Sequence, residues 1–271
     1  MEYFDQHSHC RCSPDSSAPA RDMAEAARDH GMSLICFTDH VDMDNSRTGQ
    51  VEPNWPACWP GTVEEMTALA ADPPTGLEIR WGMELGQPNH APDIAKKAAS
   101  APDLDLVLGS FHNLRDTEDF YYIRYTSEEQ CLELDRLYLQ ELREVAEMEC
   151  FDVMAHVGYT SRYMVRQGFQ TQITAENFRD ELADIFRLLI SRGRGIEVNV
   201  SGLRQGHTTY PNTSVLRLYR ELGGEIVTVG SDAHTPADAG IGVREGYSLL
   251  QSLGFAYVAK FKKRKPEFIR L

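Results

Sequence analysis

The amino-acid sequence predicts an α/β protein whose parallel strands close into a barrel, a single domain spanning residues 1–271. Three observations predict it. A short apolar run rich in β-branched residues, then polar residues, then a helical stretch recurs about seven times along the chain. No hinge-like linker interrupts the series, and 271 residues is an ordinary length for one α/β barrel. The rival arrangement, an open doubly wound sheet, would carry a glycine-rich phosphate loop after its first strand, and there is none.

The elements follow in order. YFDQHSH (3–9) is the first strand, and ARDMAEAARDHG is the amphipathic helix after it, stopped at Gly31. SLICFTDH (33–40), EIRWGMEL (78–85) and LDLVLGSFH (104–112) are the second to fourth strands. SEEQCLELDRLYLQELREVAEM is a long helix ahead of the fifth strand, FDVMAHVG (151–158). AENFRDELADIFRLLISRG is a helix ending at Gly193, before GIEVNVSG (195–202) and EIVTVGSDAH (225–234), the sixth and seventh strands. From Val41 to Gly61 runs a loop with Trp55, Trp59, Pro53, Pro56 and Pro60, a composition that favours an ordered flap over disorder. HNLRDTEDFYYIRYTS, after the fourth strand, is a second rim loop.

The formal charge of −14 argues against a nucleic-acid surface, which needs basic stripes. The one basic cluster, KFKKRKPEFIR, reads as a solvated tail. No apolar run reaches 18 residues, and the opening MEYFDQH lacks the features of an export signal, so neither a membrane nor secretion is expected. The six scattered cysteines are then reduced cytoplasmic thiols.

The C-terminal strand ends hold the chemistry. They carry His7 and His9 with Asp15 just beyond, then Asp39 and His40, Glu84, His112, His156, and Asp232 with His234. In a parallel barrel these ends converge on one face, where barrel active sites are built. A lone histidine at a strand end is ordinarily just a polar residue, but histidine or carboxylate at six of seven ends is not ordinary surface polarity. With a strand period of two, His7 and His9 project to one side and can grip one ion; Asp232 and His234 share that spacing. Cys10 and Cys12 would point away from the histidines if the strand continued, and no CxxC pair accompanies them. His30 and His90 read as ordinary polar residues, and His207 is left open. Imidazole and carboxylate without thiolate suit zinc, manganese or iron. Nine ligands exceed the needs of one ion; three ions would each take about three and keep open positions for water and substrate.

With HSH and Asp15, TDH, Glu84, SFH, AHVG and SDAH in place, the chain resembles the polymerase-and-histidinol-phosphatase (PHP) family of metal-dependent phosphoesterases. The matching motifs span residues 7–234. The resemblance implies a distorted (β/α)₇ barrel with a centre of three divalent ions at the C-terminal strand ends. His7, His9, Asp232 and a bridging Glu84 would hold the first ion; Glu84, His112 and His156 the second; Asp15, His40 and His234 the third. Asp39 is left outside these sets. EVNVSGLRQG followed by YP is similar to the histidinol-phosphate phosphatase branch, which implies phosphate binding by Arg204 and by Arg162.

The implied reaction is hydrolysis of a small phosphate monoester, L-histidinol phosphate for that branch, by a hydroxide bridging two ions, with Asp232 or His234 assisting the leaving group. Three divalent ions outweigh the carboxylates of Asp15, Glu84 and Asp232, so the site is cationic within an acidic protein. Asp42, Asp44, Glu118 and Asp119, with Trp55 and Tyr121, are rim residues suited to the substrate's amine and imidazole. Another small phosphate ester and a non-catalytic metal-binding barrel are the alternatives. A serine hydrolase is disfavoured, since no GxSxG follows a strand.

Overall fold

A computed structural model describes all 271 residues. Strands β1 (Phe4–Ser8), β2 (Leu34–Phe37), β3 (His40–Asp42), β4 (Glu78–Gly86), β5 (Leu106–Ser110), β6 (Val153–Met154), β7 (Gly195–Asn199) and β8 (Val227–Gly230) form one parallel sheet. Leu34 pairs with Glu78 and His40 with Glu84, the same offset, so β2 and β3 are one strand interrupted at Thr38 and Asp39. Seven strand positions result, matching the seven apolar runs. The sheet closes where Ser8 bridges Ala233 in parallel, with Asp232 N donating to His7 O at 2.8 Å and His9 N to Ala233 O at 2.9 Å. This is the closed parallel barrel that the strand pattern predicts, in the distorted (β/α)₇ form that the family resemblance implies.

Helices α1 (Ala20–Asp29), α2 (Trp59–Ala71), α3 (Pro92–Ala98), α4 (Glu128–Glu147), α5 (Tyr159–Arg166), α6 (Arg179–Ser191), α7 (Thr213–Glu221) and α8 (Val243–Ser252) fill the connections. The longest shows why. In α4, Ser127 caps the N-terminus by accepting from Gln130 N, and Glu128 and Glu129 in the first turn suit the helix dipole. Its buried stripe, Cys131, Asp135, Tyr138, Leu139, Leu142, Val145 and Ala146, repeats at three- and four-residue steps and is turned into the core. One continuous apolar core runs from Phe4 to Phe261. No helix is long and apolar enough to cross a membrane.

Two expectations need correction. The basic C-terminal cluster is no solvated tail: β9 (Tyr257–Lys262) and β10 (Lys265–Arg270) form an antiparallel hairpin against the barrel. Gln6 Nε2 donates to Ala259 O at 2.7 Å while its Oε1 accepts from Phe261 N at 3.0 Å. Arg264 at the turn pairs with Asp152 and donates to Ala99 O at 2.9 Å and Cys150 O at 3.1 Å. The charges of this segment thus have partners that a local reading does not contain. The flap, expected over 41–61, is shorter, since Val41 lies in β3 and α2 begins at Trp59. It is ordered as expected: Asp44 bridges Val51, Asp119 N donates to Ser46 O at 2.9 Å, and Arg47 lies over the Tyr122 ring at 3.4 Å. Those last two contacts tie the two rim loops together.

Candidate metal centre

The barrel brings the strand-end residues to one place. His7, on β1, and His9, just beyond it, are fully buried, as is Glu84 on β4. His7 Nε2 lies 3.1 Å from His9 Nε2, 3.3 Å from Glu84 Oε2 and 3.6 Å from Asp232 Oδ1. His9 Nε2 lies 3.5 Å from Glu84 Oε2 and 3.4 Å from Asp232 Oδ1. Donor atoms placed tetrahedrally around an ion at zinc–nitrogen bond lengths stand about 3.3 Å apart. The spacings of this set fall close to that value, so these residues fit a divalent ion without rearrangement.

The other two predicted sets gather nearby. Glu84 Oε1 is 3.1 Å from His112 Nε2 and 2.7 Å from His156 Nε2, so the two oxygens of Glu84 face separate histidine sets, as a bridging ligand requires. Asp15 Oδ2 is 3.0 Å from His234 Nε2 and 3.5 Å from His40 Nε2. His40 Nδ1 also approaches Glu84 Oε2, at 3.1 Å. His9 stacks against His234 and His40, with ring centroids 4.0 and 4.4 Å apart. Packing this many lone-pair donors together without donors to match is costly unless cations sit among them. His234 Nε2, aimed at Asp15, has no hydrogen-bond partner of its own.

Electrostatics divides the ligands. Burial drives the His9 pKa down to about 3, with His234 and His40 adding to the effect, so His9 stays a neutral lone-pair donor. Burial also pulls on His112, but Glu84 and then Asp42 overcome it and lift that ring to about 10. Burial alone would raise Glu84; His40, His7 and His112 reverse this and hold it well below the usual carboxylate range. Asp232 is kept ionised in the same way by His7, His9 and Arg162. Backbone strain marks the same places, since His156 and Asp232 have φ of 26° and 54°.

One functional residue escaped the sequence reading. Glu197, 1% exposed on β7, accepts through Oε1 from His7 Nδ1 at 2.7 Å and through Oε2 from His156 N at 2.9 Å. Holding Nδ1 this way fixes the tautomer and points the Nε2 lone pair into the cluster. Its signal was available, a charged residue in the middle of a buried strand. Asp39, set aside at first, reaches His9 through Ser13: Ser13 Oγ is 2.8 Å from Asp39 Oδ1 and 3.0 Å from His9 Nδ1. His90 is buried between Asp44 and Glu141, with Glu141 Oε2 2.7 Å from its Nε2, and so fixes a wall residue of the cavity.

A cavity of about 600 Å³ opens over the cluster. Asp15, His40, Glu84, His112, His156, Asp232 and His234 form its floor, while His7 and His9 lie beneath. Asp42, Asp44, Asp119 and Tyr121 line it, whereas Glu118 and Trp55 do not. Arg162 lines it as well, its guanidinium held by Ser201 Oγ at 2.6 Å and Asp232 Oδ2 at 3.0 Å. Arg204 is placed differently. It donates to Ser231 O at 2.6 Å and Asp232 O at 3.3 Å and sits beside Asp238, outside the cavity lining.

The PHP domain model matches residues 5–201. A Lactococcus lactis subsp. lactis histidinol-phosphatase is 28% identical over 276 residues, 98% of this chain and 96% of that protein. A Thermotoga maritima protein named "Probable histidinol-phosphatase" is 28% identical over 258 residues, 94% of each. Among solved structures, the L. lactis histidinol phosphate phosphatase complexed with zinc, L-histidinol and phosphate superposes with a TM-score of 0.79 at 26% identity, covering 98% of this chain and 99% of that one. A Listeria monocytogenes structure shares the fold, with a TM-score of 0.71 at 17% identity over 89% of this chain and 99% of that one.

Proposed function

The chain belongs to the PHP domain family, and from that premise we propose that it is a metal-dependent phosphatase that hydrolyses L-histidinol phosphate to L-histidinol and phosphate. The observation that carries this reading is Glu84, a buried carboxylate whose two oxygens face His7 and His9 on one side and His112 and His156 on the other. Divalent ions of the zinc class, when bound there, lower the pKa of water to roughly 7 and polarise phosphate oxygens. His7, His9, Asp232 and Glu84 would hold the first, Glu84, His112 and His156 the second, and Asp15, His40 and His234 the third.

The protein's own groups do the rest. Arg162, locked by Ser201 and Asp232 and flanked by the Tyr159 and Tyr210 rings at 5.4 and 5.1 Å, presents a fixed positive charge to the phosphate oxygens. These contacts favour Arg162 over Arg204 as the main phosphate contact. Asp232, held ionised, takes a proton from the attacking water and returns it to the leaving oxygen. His234 Nδ1 faces Asp232 O at 3.1 Å, which leaves Nε2 as a lone pair and suits ligation better than proton delivery. Asp42, Asp44 and Asp119 give the cavity wall the negative charge that a cationic amino alcohol needs.

The chain acts as one domain over residues 1–271, since β8 closes on β1 and the C-terminal hairpin anchors on Gln6. Its six unpaired cysteines are in keeping with work in the cytoplasm. The test is phosphate release from L-histidinol phosphate by metal-replete protein, beside p-nitrophenyl phosphate, sugar phosphates and nucleotides. Preference for L-histidinol phosphate, abolished by chelation, is expected. Activity confined to the other esters would keep the metal chemistry and discard the substrate; inactivity on all would remove the phosphatase reading.

A further inference from the structure

The Cys-X-Cys pair beside His9 has no part in the proposed reaction, and the fold does not place it as an uninterrupted strand would. β1 ends at Ser8, and the chain turns at once, with Ser13 N donating to Cys10 O at 2.9 Å. The turn folds Cys12 back towards Cys10, and Asp39 comes in from the break between β2 and β3. The two thiol sulfurs and a carboxylate oxygen of Asp39 all lie within 4.8 Å of one another.

Asp39 supplies an independent observation. It is 3% exposed, yet its hydrogen-bond partners are the neutral groups Cys10 N at 2.7 Å, Ser13 Oγ at 2.8 Å and Cys10 Sγ at 3.1 Å. Buried carboxylates ordinarily face a cation. No arginine or lysine pairs with Asp39, and two potential thiolates adjoin it on the side of Cys10.

We infer that Cys10, Cys12 and Asp39 form a further cation site, specific for thiophilic divalent ions of the zinc and cadmium class. Two sulfurs at zinc–thiolate bond lengths stand about 3.8 Å apart, so small rotations about the cysteine side-chain bonds bring the three donors onto one ion. Binding exchanges two S–H bonds for two metal–sulfur bonds and releases two protons to solvent, leaving Asp39 as the third ligand and one position for water. Cys12 is half-buried and Cys10 fully buried, so Cys12 is the side from which the ion and the protons pass. The pair is separate from the histidine–carboxylate cluster but linked to it, because Ser13 Oγ touches both Asp39 and His9.

The experiment uses full-length, fully reduced protein whose histidine–carboxylate cluster is loaded with manganese, which has little affinity for thiolate, titrated with cadmium. A thiolate-to-cadmium charge-transfer band saturating at one ion per chain is expected, with two fewer thiols reacting with an aromatic disulfide reagent. Cys12→Ser should lose the band while keeping wild-type turnover, and Cys58→Ser should retain it. A mass-spectrometric map of alkylation in the unaltered protein gives a reading that does not depend on the folding of any variant: cadmium should protect Cys12. No band, a band that survives Cys12→Ser or disappears in Cys58→Ser, or Cys12 alkylated equally with and without cadmium would each overturn the assignment.

Discussion

Replacing Glu197 by glutamine alters one charge at a position 1% exposed, with little change in shape. In the native protein one oxygen faces His7 Nδ1 at 2.7 Å, and the other accepts from His156 N at 2.9 Å and Asn199 Nδ2 at 3.2 Å. A glutamine has a single acceptor oxygen. If that oxygen serves His7, its amide nitrogen confronts the His156 N–H and the Asn199 amide, donor against donor. If it is reversed, His7 loses its anchor. Either arrangement leaves a buried group unsatisfied, at about 1–3 kcal/mol. The loss of the anionic partner also makes His7 a weaker ligand, and comparable changes behind metal-bound histidines cost roughly 10–100-fold in metal affinity or activity. That range corresponds to about 1.4–2.7 kcal/mol. Ion content after dialysis against graded chelator, and turnover at saturating metal, measure it directly. Unchanged ion retention and unchanged turnover in a folded Glu197→Gln protein would refute the role assigned to this carboxylate.

Burial lifts the Asp135 carboxyl to about 7, and its one hydrogen bond, 2.5 Å to Thr160 Oγ1, offsets this only in part. An unfolded aspartate titrates near ~3.9, so between about pH 4 and pH 7 the folded state holds a proton that the unfolded chain has lost. Stability should therefore fall as pH rises through that window, by up to about 4 kcal/mol from this group, and level off above it. Asp135→Asn should flatten the profile in urea denaturation at pH 5 and pH 8; an unaltered slope would count against it. Arg162→Ala removes the fixed charge over the cavity floor, and kcat/KM for the phosphate ester should fall about 100-fold or more, with a much smaller effect from Arg204→Ala. Equal losses in steady-state kinetics would contradict the preference for Arg162. Gly230→Ala places a methyl group against His7 Cβ and Glu197 Oε1, so ion retention should fall along with an overpacking loss of about 1–3 kcal/mol in thermal unfolding.

What could be read locally was read from the sequence. The seven strand positions follow from short apolar runs and their polar ends, because strand periodicity and helix stops are properties of neighbouring residues. The spacing in HSH already placed two imidazoles on one side of a strand, and closure of a parallel barrel requires that the strand ends meet. The break between β2 and β3 was not visible, since a pairing offset that continues across Thr38 and Asp39 exists only once β4 is beside them.

The composition of the strand ends thus determined by itself that imidazole and carboxylate would gather at one rim. Only the tertiary structure decided which of them are supported, and how. Glu197 stands 190 residues from His7 and Asp39 meets Ser13 across 26, so neither contact leaves a trace in any window of the chain. Arg162 and Arg204 look alike as sequence, yet one guanidinium lines the cavity and the other is spent on backbone carbonyls. The basic C-terminal segment became a hairpin for the same reason: its partners are Gln6 on β1 and Asp105 and Asp152, just ahead of β5 and β6, all far away in the chain. Residue type and periodicity carry short-range physics, whereas the partner of a buried charge is chosen by closure of the barrel.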